Sequence, residues 1–402
     1  MIENGRVITG DGSVLQEASV VVAGDSIVSV TEGLVEAPDA RRIDASGKTV
    51  LPGLIDAHVH LTIPPDGRDS TALVNYLDEG LPEALRSFIE HGVTTVRSTG
   101  GYWPWAGRVK SRVAAGELSG PRIVTSGPIL TTEGGHPSAT ACSGSLFCRS
   151  HVMREVSTPA EARQAVRDLS GEGVDFIKLA SDSLLAPVLF SDPVVRSIVD
   201  QAHQEGVKAT AHAPEVDVIE RYAGMGMDGF VHPPSLPSLS RERIRRLSRI
   251  LRQYDTPVTT TVFVVLAYSE RPVQAMLEDG SVGRELVASK ARDLAVLGDA
   301  GVPLVLGTDW CPCNAGENPA FQPGAVTITE MKGLRWGGMS RHAIVQAATA
   351  NAARALEMED RVGTLEADKL ADLIVVDGNP LDDLAALEEV EVVVQGGKVL
   401  MK

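Results

Sequence analysis

The sequence is poor in aromatic side chains: Phe, Trp and Tyr together make up 4% of its 402 residues. It has four cysteines, too few in a chain this long for a disulfide framework, so mostly free thiols and a cytoplasmic setting are expected. No apolar run approaches the roughly 18 residues that a membrane-spanning helix needs. The opening "MIENGRVITGDG" lacks a basic stretch followed by an apolar one, so no secretion signal is expected. Positive charge is also in deficit. Lys and Arg number 37 against 53 Asp and Glu, a net charge of −16, which argues against nucleic acid and anionic membranes as partners. An anionic substrate would need Arg or Lys placed locally against that field. No tract is low in complexity, and 43% of the residues are hydrophobic, enough for a large folded core.

Two kinds of pattern organise the chain. Residues 1 to about 52 alternate apolar and polar with short turns, as in "ASVVVAGDSIVSV", which is the pattern of antiparallel strands. The last residues return to it in "ADLIVVDGNP" and "EVEVVVQGGKVLMK". The two ends can share one small β domain, a β-sandwich of residues 1–52 plus 366–402. Between them, short β-rich runs alternate with helical patterns. Eight strands are expected: "GLIDAHVHL", "TTVRST", "RIVTSG", "DFIKLAS", "VKATAHA", "DGFVHP", "PVTTTV" and "VPLVLGTDW". The intervening "STPAEARQAVRDLSGEG" opens with Ser157 and Thr158 as caps, Pro159 in the first turn and Glu161 shortly after. Eight β-then-α units imply an α/β fold, a (β/α)8 TIM-type barrel over 53–365, whose chemistry sits at the C-terminal strand ends.

The polar residues at those ends are chemically coherent. His58 and His60 stand two apart in a strand and therefore face the same way. Lys178 lies inside the apolar strand "GVDFIKLAS", where an ammonium is expensive to bury. His212, His232 and Asp309 end three further strands. Four of the chain's nine histidines fall in this set. Imidazole and carboxylate suit zinc, and also manganese, cobalt or nickel. Each residue taken singly has a plainer reading: a satisfied core histidine, or a lysine snorkelling to the strand end.

Three of the four tryptophans, Trp103, Trp105 and Trp310, fall in βα loops at the expected mouth. They would give a wall for an apolar or ring-bearing substrate, or else pack the loops. Cys311 and Cys313 flank Pro312 beside Asp309 and are read as loop thiols, since one C-x-C supplies only two ligands. Cys142 and Cys148 share one long loop and could approach each other.

These residues resemble the amidohydrolase superfamily. The resemblance is carried by "LPGLIDAHVHL" after an N-terminal β segment, Lys178, His212, His232, "GTDW", and the closing "TANAARALEMEDRVGTLEADKLADLIVVDGNPL". Within it the chain is most similar to the binuclear amidase and dipeptidase branch, prolidase-like and imidazolonepropionase-related. "TTVRSTGG" and "TTEGGHP" have counterparts there, although relatives often carry Asp where Ser98 stands. The resemblance implies two divalent ions, zinc first among them. His58, His60 and Asp309 would hold one, His212 and His232 the other, and Lys178, carboxylated by carbon dioxide, would bridge them. It implies cleavage of a C–N amide bond by a bridging hydroxide, with Asp309 as general base and then acid. It also makes His136 a substrate-contacting hydrogen-bond donor and a homo-oligomer the expected state. The substrate would be a small amide: dipeptide-like, N-acyl or cyclic.

One alternative stays open. His212 and Glu215 stand at the H-x-x-E spacing of the superfamily's mononuclear deaminases, in which the glutamate shuttles protons. A barrel without catalysis is a further alternative, which the intact ligand set opposes.

Overall fold

The computed structural model describes residues 1–65, 69–234, 241–267, 281–315 and 321–401. Both ends of the chain enter one eight-stranded sheet. Its order is Lys398–Met401, Val390–Gln395, Leu373–Asp377, Lys48–Pro52, Ile2–Ile8, Val14–Ala23 and Ser26–Glu32, with Ile43–Asp44 also paired to Ile2–Ile8. The pairing is not purely antiparallel as the pattern suggested. Ile2–Ile8 runs parallel to both Ile43–Asp44 and Lys48–Pro52, because segment 33–42 carries the chain back across the sheet before the next strand starts. The period of two explains the near-continuous apolar runs. Leu373 and Val375 pack with Val50, Val392 and Val394 in the core of this sheet. Ile374 and Val376, with Leu51 and Val393, reach the main core on the other face.

The eight internal strands all form where expected. Leu54–Val59, Val93–Ser98 and Arg122–Thr125 make a parallel sheet of three. Phe176–Ala180, Lys208–His212, Gly229–Val231, Val258–Thr259 and Leu304–Val305 belong to a parallel sheet of seven. Its other two strands, Ile129–Thr131 and Met153–Glu155, were not expected. Backbone hydrogen bonds link the two sheets at both edges. Ala57 N–H donates to Leu306 O (2.9 Å) on one side, and Asp175 N–H to Thr125 O (2.8 Å) on the other.

Helices alternate with these strands. Pro159–Gly171 has the cap its sequence announced: Thr158 Oγ1 accepts the Glu161 N–H, and the Glu161 carboxylate accepts the Thr158 N–H. Such a cap stabilises a helix by about 1 kcal/mol. The helix buries Ala162, Val166 and Leu169 in the same core as Ile177 and Leu179 of the following strand. That assignment fixes the lysine. With Ile177 and Leu179 turned to the helices, Phe176, Lys178 and Ala180 must face the other side. There Phe176 lies 5.2 Å from the Arg97 guanidinium, and Lys178 and Ala180 line a cavity.

Candidate active site

The cavity measures about 790 Å³ and is lined by His58, His60, His136, Lys178, His212, His232 and Asp309 together. Every metal ligand expected from the sequence therefore reaches one space, along with His136. Apart from Lys178, in the middle of its strand, the donors sit at or close to strand ends, where the backbone turns. His232, Thr261 and Asp309 take left-handed conformations with φ of 72°, 39° and 58°. A non-glycine residue held so costs on the order of 1–3 kcal/mol and persists only where its surroundings enforce it. Here the Asp309 N–H is held by His58 O (2.8 Å) and the Thr261 N–H by Gly307 O (2.9 Å).

The ring nitrogens show what the site can hold. His60 Nδ1 lies 3.0 Å from the Gly100 carbonyl, which can only accept, so Nδ1 carries the hydrogen. Nε2 then presents a lone pair to Asp309 Oδ1 at 3.2 Å. His58 Nε2 lies 3.0 Å from the same oxygen. Both His58 ring nitrogens are buried, and Nδ1 has no hydrogen-bond partner among the described residues. His60 Nε2 and Asp309 Oδ1 thus face one another as acceptors, an arrangement that suits a cation between them. The ligand atoms of His58, His60 and Asp309 all lie within 4.8 Å of one another, so this group can hold a metal ion.

Electrostatics agree with the donor set. Burial, with the Lys178 charge adding to it, drives His58 well below the usual imidazole range. Burial and the neighbouring His212 do the same to His232. Neutral imidazoles are what a metal requires. Burial alone would raise the Asp309 carboxyl, but His58, His60 and His232 around it more than reverse that, and it stays ionised. Lys178 is 2% exposed. Burial, opposed by Asp309 and assisted by Arg97, brings its pKa down to about 7, so a large fraction is the free amine near neutral pH.

A second ring of residues, which sequence reasoning missed, orients the first. His212 Nε2 lies 2.7 Å from Asp182 Oδ2, and His232 Nδ1 2.8 Å from Thr261 Oγ1. His136 Nδ1 is engaged by Thr140 Oγ1 at 2.7 Å. The Asp56 carboxylate accepts the N–H groups of His58 (3.2 Å) and Thr308 (3.1 Å) and the hydroxyls of Thr308 (2.8 Å) and Thr327 (3.1 Å). Asp56 and Asp182 stand close to ligands in sequence, in "IDAHVH" and "KLASD". Their spacing alone did not separate them from ordinary capping or turn residues.

Three expectations need correction. The tryptophans do not line the cavity as described. Trp310 is buried in the core, its Nε1–H donating to Phe321 O (2.9 Å) and its ring edge-on to Phe88. Trp103 is bound to Glu172, and Trp105 packs on Phe147 and His151. The walls are instead aliphatic, with Ile63, Ile129, Val152, Leu185 and Val264 among them. Glu215 does not line the cavity either; its Oε1 accepts the Ser183 N–H at 2.6 Å. Finally, the cysteines are not free. Cys142–Cys148 and Cys311–Cys313 are disulfides, and all four residues line the cavity. The pairs are six and two residues apart in sequence, with Cα atoms 5.3 and 5.1 Å apart, within bridging reach. The bridges remove the cysteine argument for a reducing compartment. No helix among the described residues is long and apolar enough to cross a membrane.

Fold and site together define an α/β enzyme whose polar centre lies at the C-terminal ends of parallel strands. The model of the amidohydrolase family matches residues 49–400, and the chain belongs to that family, hydrolases acting on carbon–nitrogen bonds. It is similar to an imidazolonepropionase of Geobacillus thermodenitrificans, with 26% identity over 99% of this chain and 92% of the relative. It is also similar to an ochratoxinase of Aspergillus niger, with 25% identity over 99% of this chain and 86% of the relative. Among solved structures, a Xaa-Pro dipeptidase with methionine bound in its active site superposes with a TM-score of 0.80. That match has 25% identity and covers 100% of this chain and 99% of the other.

Proposed function

We propose that this enzyme is a two-metal hydrolase that cleaves the C–N bond of a small amide, dipeptide-like, N-acyl or cyclic. The observation that carries the reading is Lys178: a nearly dry amine, half neutral near pH 7, in one cavity with five histidines and Asp309. A neutral buried amine can add carbon dioxide to give a carbamate, an anionic ligand with two oxygens. Such a group removes the cost of a buried ammonium when dications face it. His58, His60 and Asp309 would hold one ion and His212 and His232 the other, with Lys178 between them. Zinc is the first ion to test. The parallel sheets, linked at both edges, support a closed (β/α)8 barrel over 53–365, with 1–52 and 366–402 as a small β domain. A homo-oligomer remains our expectation for the assembly.

When bound, the ions supply an acidified water and polarise the scissile carbonyl. Asp309 is ionised and fixed by its backbone bond to His58, so it is placed to take the proton of the attacking water and pass it to the leaving nitrogen. His136 does not exchange protons. Burial, with His212 beside it, pushes its pKa down to about 3, and it stays neutral at working pH. With the Thr140 hydroxyl donating to Nδ1, the Nε2–H is left to donate to the developing oxyanion. The aliphatic walls favour an amide that carries an apolar group.

The test is metal reconstitution of depleted enzyme with turnover of N-acyl amino acids and cyclic amides. The reading expects activity to saturate at two ions per chain. Saturation at one ion, with ammonia released from a heterocycle, overturns it in favour of the aminohydrolase reading, which the position of Glu215 does not favour.

A further inference from the structure

We propose that Asp182 is a positioning residue that fixes the His212 ring for metal binding and ties that ring to the loop at the cavity mouth. The inference rests on the two-metal reading above. Asp182 Oδ2 lies 2.7 Å from His212 Nε2, and the side chain is 5% exposed. An ionised carboxylate only accepts, so Nε2 carries the hydrogen and Nδ1 keeps the lone pair for a metal. The His212 ring sits between those of His136 and His232, with centroids 4.8 and 4.3 Å away. Among the described residues, no other hydrogen bond reaches either ring nitrogen of His212.

The opposite oxygen of Asp182 faces the loop. Oδ1 accepts the N–H groups of Leu184 (2.9 Å) and Leu185 (3.2 Å). Leu185 lines the cavity while remaining 53% exposed, so it stands where a substrate enters. The same turn is held from its other side by Glu215, through the Ser183 N–H at 2.6 Å. Glu215 heads the helix that follows the His212 strand. One carboxylate therefore joins a wall that contacts substrate to a ring that holds metal.

An asparagine at this position separates the two duties. Its amide must turn the NH2 either to two backbone donors or to one imidazole donor. Keeping the oxygen on the two backbone N–H groups places NH2 against His212 Nε2, which must then lose its hydrogen. The hydrogen moves to Nδ1, and the lone pair leaves the cavity. Alanine behaves differently: it drops the cap on the loop but leaves the ring free to adopt either tautomer.

The experiment compares wild type, Asp182→Asn and Asp182→Ala as full-length chains. Chelator competition measures the affinity for each of two zinc ions. Nitrogen NMR of histidine-labelled, metal-free protein reads the His212 tautomer, and thermal unfolding reads stability. Asp182→Asn should bind the second ion about 10- to 100-fold more weakly than wild type. It should show the Nδ1–H tautomer and keep near-normal stability. Asp182→Ala should lose less metal affinity and more stability. Wild-type affinity and tautomer in Asp182→Asn overturn the inference, and so does a larger loss of metal affinity in Asp182→Ala, the order that a loop cap alone would give. If wild type itself takes up one ion only, the two-metal reading falls, and the tautomer comparison still decides the role of Asp182.

Discussion

His58 and Asp309 are joined through both main chain and side chain. The Asp309 N–H donates to the His58 carbonyl at 2.8 Å, while His58 Nε2 lies 3.0 Å from Asp309 Oδ1. The first internal strand and the segment following the last are thereby locked with their ligand atoms converging. Asp56 reinforces the lock from below, bonding to both His58 and Thr308.

This lock makes Asp309 the residue whose chemistry can be removed with least disturbance. Asp309→Asn keeps the backbone bond and nearly the same volume but cannot take a proton from water. A fall in kcat of about 10²- to 10⁴-fold is expected, with little change in melting temperature. Steady-state kinetics beside a thermal melt checks it, and an unchanged kcat would show that Asp309 is not the general base.

Lys178→Met fills the same space without an amine that carbon dioxide can modify. Elemental analysis should find the metal content reduced from two ions per chain to one. The remaining ion should be that of His58, His60 and Asp309, whose donors already converge without the lysine. Retention of two ions in the variant would show that Lys178 is no ligand.

Legibility in the sequence followed the range of each signal. His58, His60 and Lys178 could be read because a period of two and a strand end are local properties, and the eight strands carried enough β-rich length to be recognised. Thr261 and Asp182 could not, because their partners His232 and His212 stand 29 and 30 residues away in the chain. The tryptophans were misplaced for a related reason. Position in a loop says nothing about which way a ring turns, and the Trp310 N–H found the Phe321 carbonyl in the core. Free thiols were expected because cysteine number was weighed above the small separation within each pair, six residues for Cys142 and Cys148 and two for Cys311 and Cys313.

A pH effect on stability follows from Glu330. It is fully buried and accepts the N–H groups of Val262 (2.8 Å) and Phe263 (2.9 Å), just beyond the Thr261 that holds His232. Burial raises its pKa from 4.5 to about 7, against the pull of those hydrogen bonds. Between these values the folded state keeps a proton that the unfolded state releases, so stability falls as pH rises from about 4.5 to about 7. The change attributable to this group is about 3 kcal/mol. Glu330→Gln lacks the titration, so the melting temperature of wild type minus that of the variant should fall between pH 5 and pH 8. A constant difference would mean that the carboxyl titrates normally.

The cysteine pairing has a direct chemical check. Alkylation of the denatured, unreduced chain should label none of Cys142, Cys148, Cys311 and Cys313, and prior reduction should expose all four to mass spectrometry. Four labels without reduction would restore the free thiols expected from composition.

The central claim is that Lys178 serves as a carbamate between two metal ions. It is tested most directly by a crystal structure of the zinc-loaded enzyme grown with bicarbonate, with anomalous diffraction collected at the zinc edge. The account requires two anomalous peaks in the cavity, one among His58, His60 and Asp309 and one at His212 and His232, with density for a carboxylated Nζ between them. A single peak beside an unmodified Lys178 would contradict it.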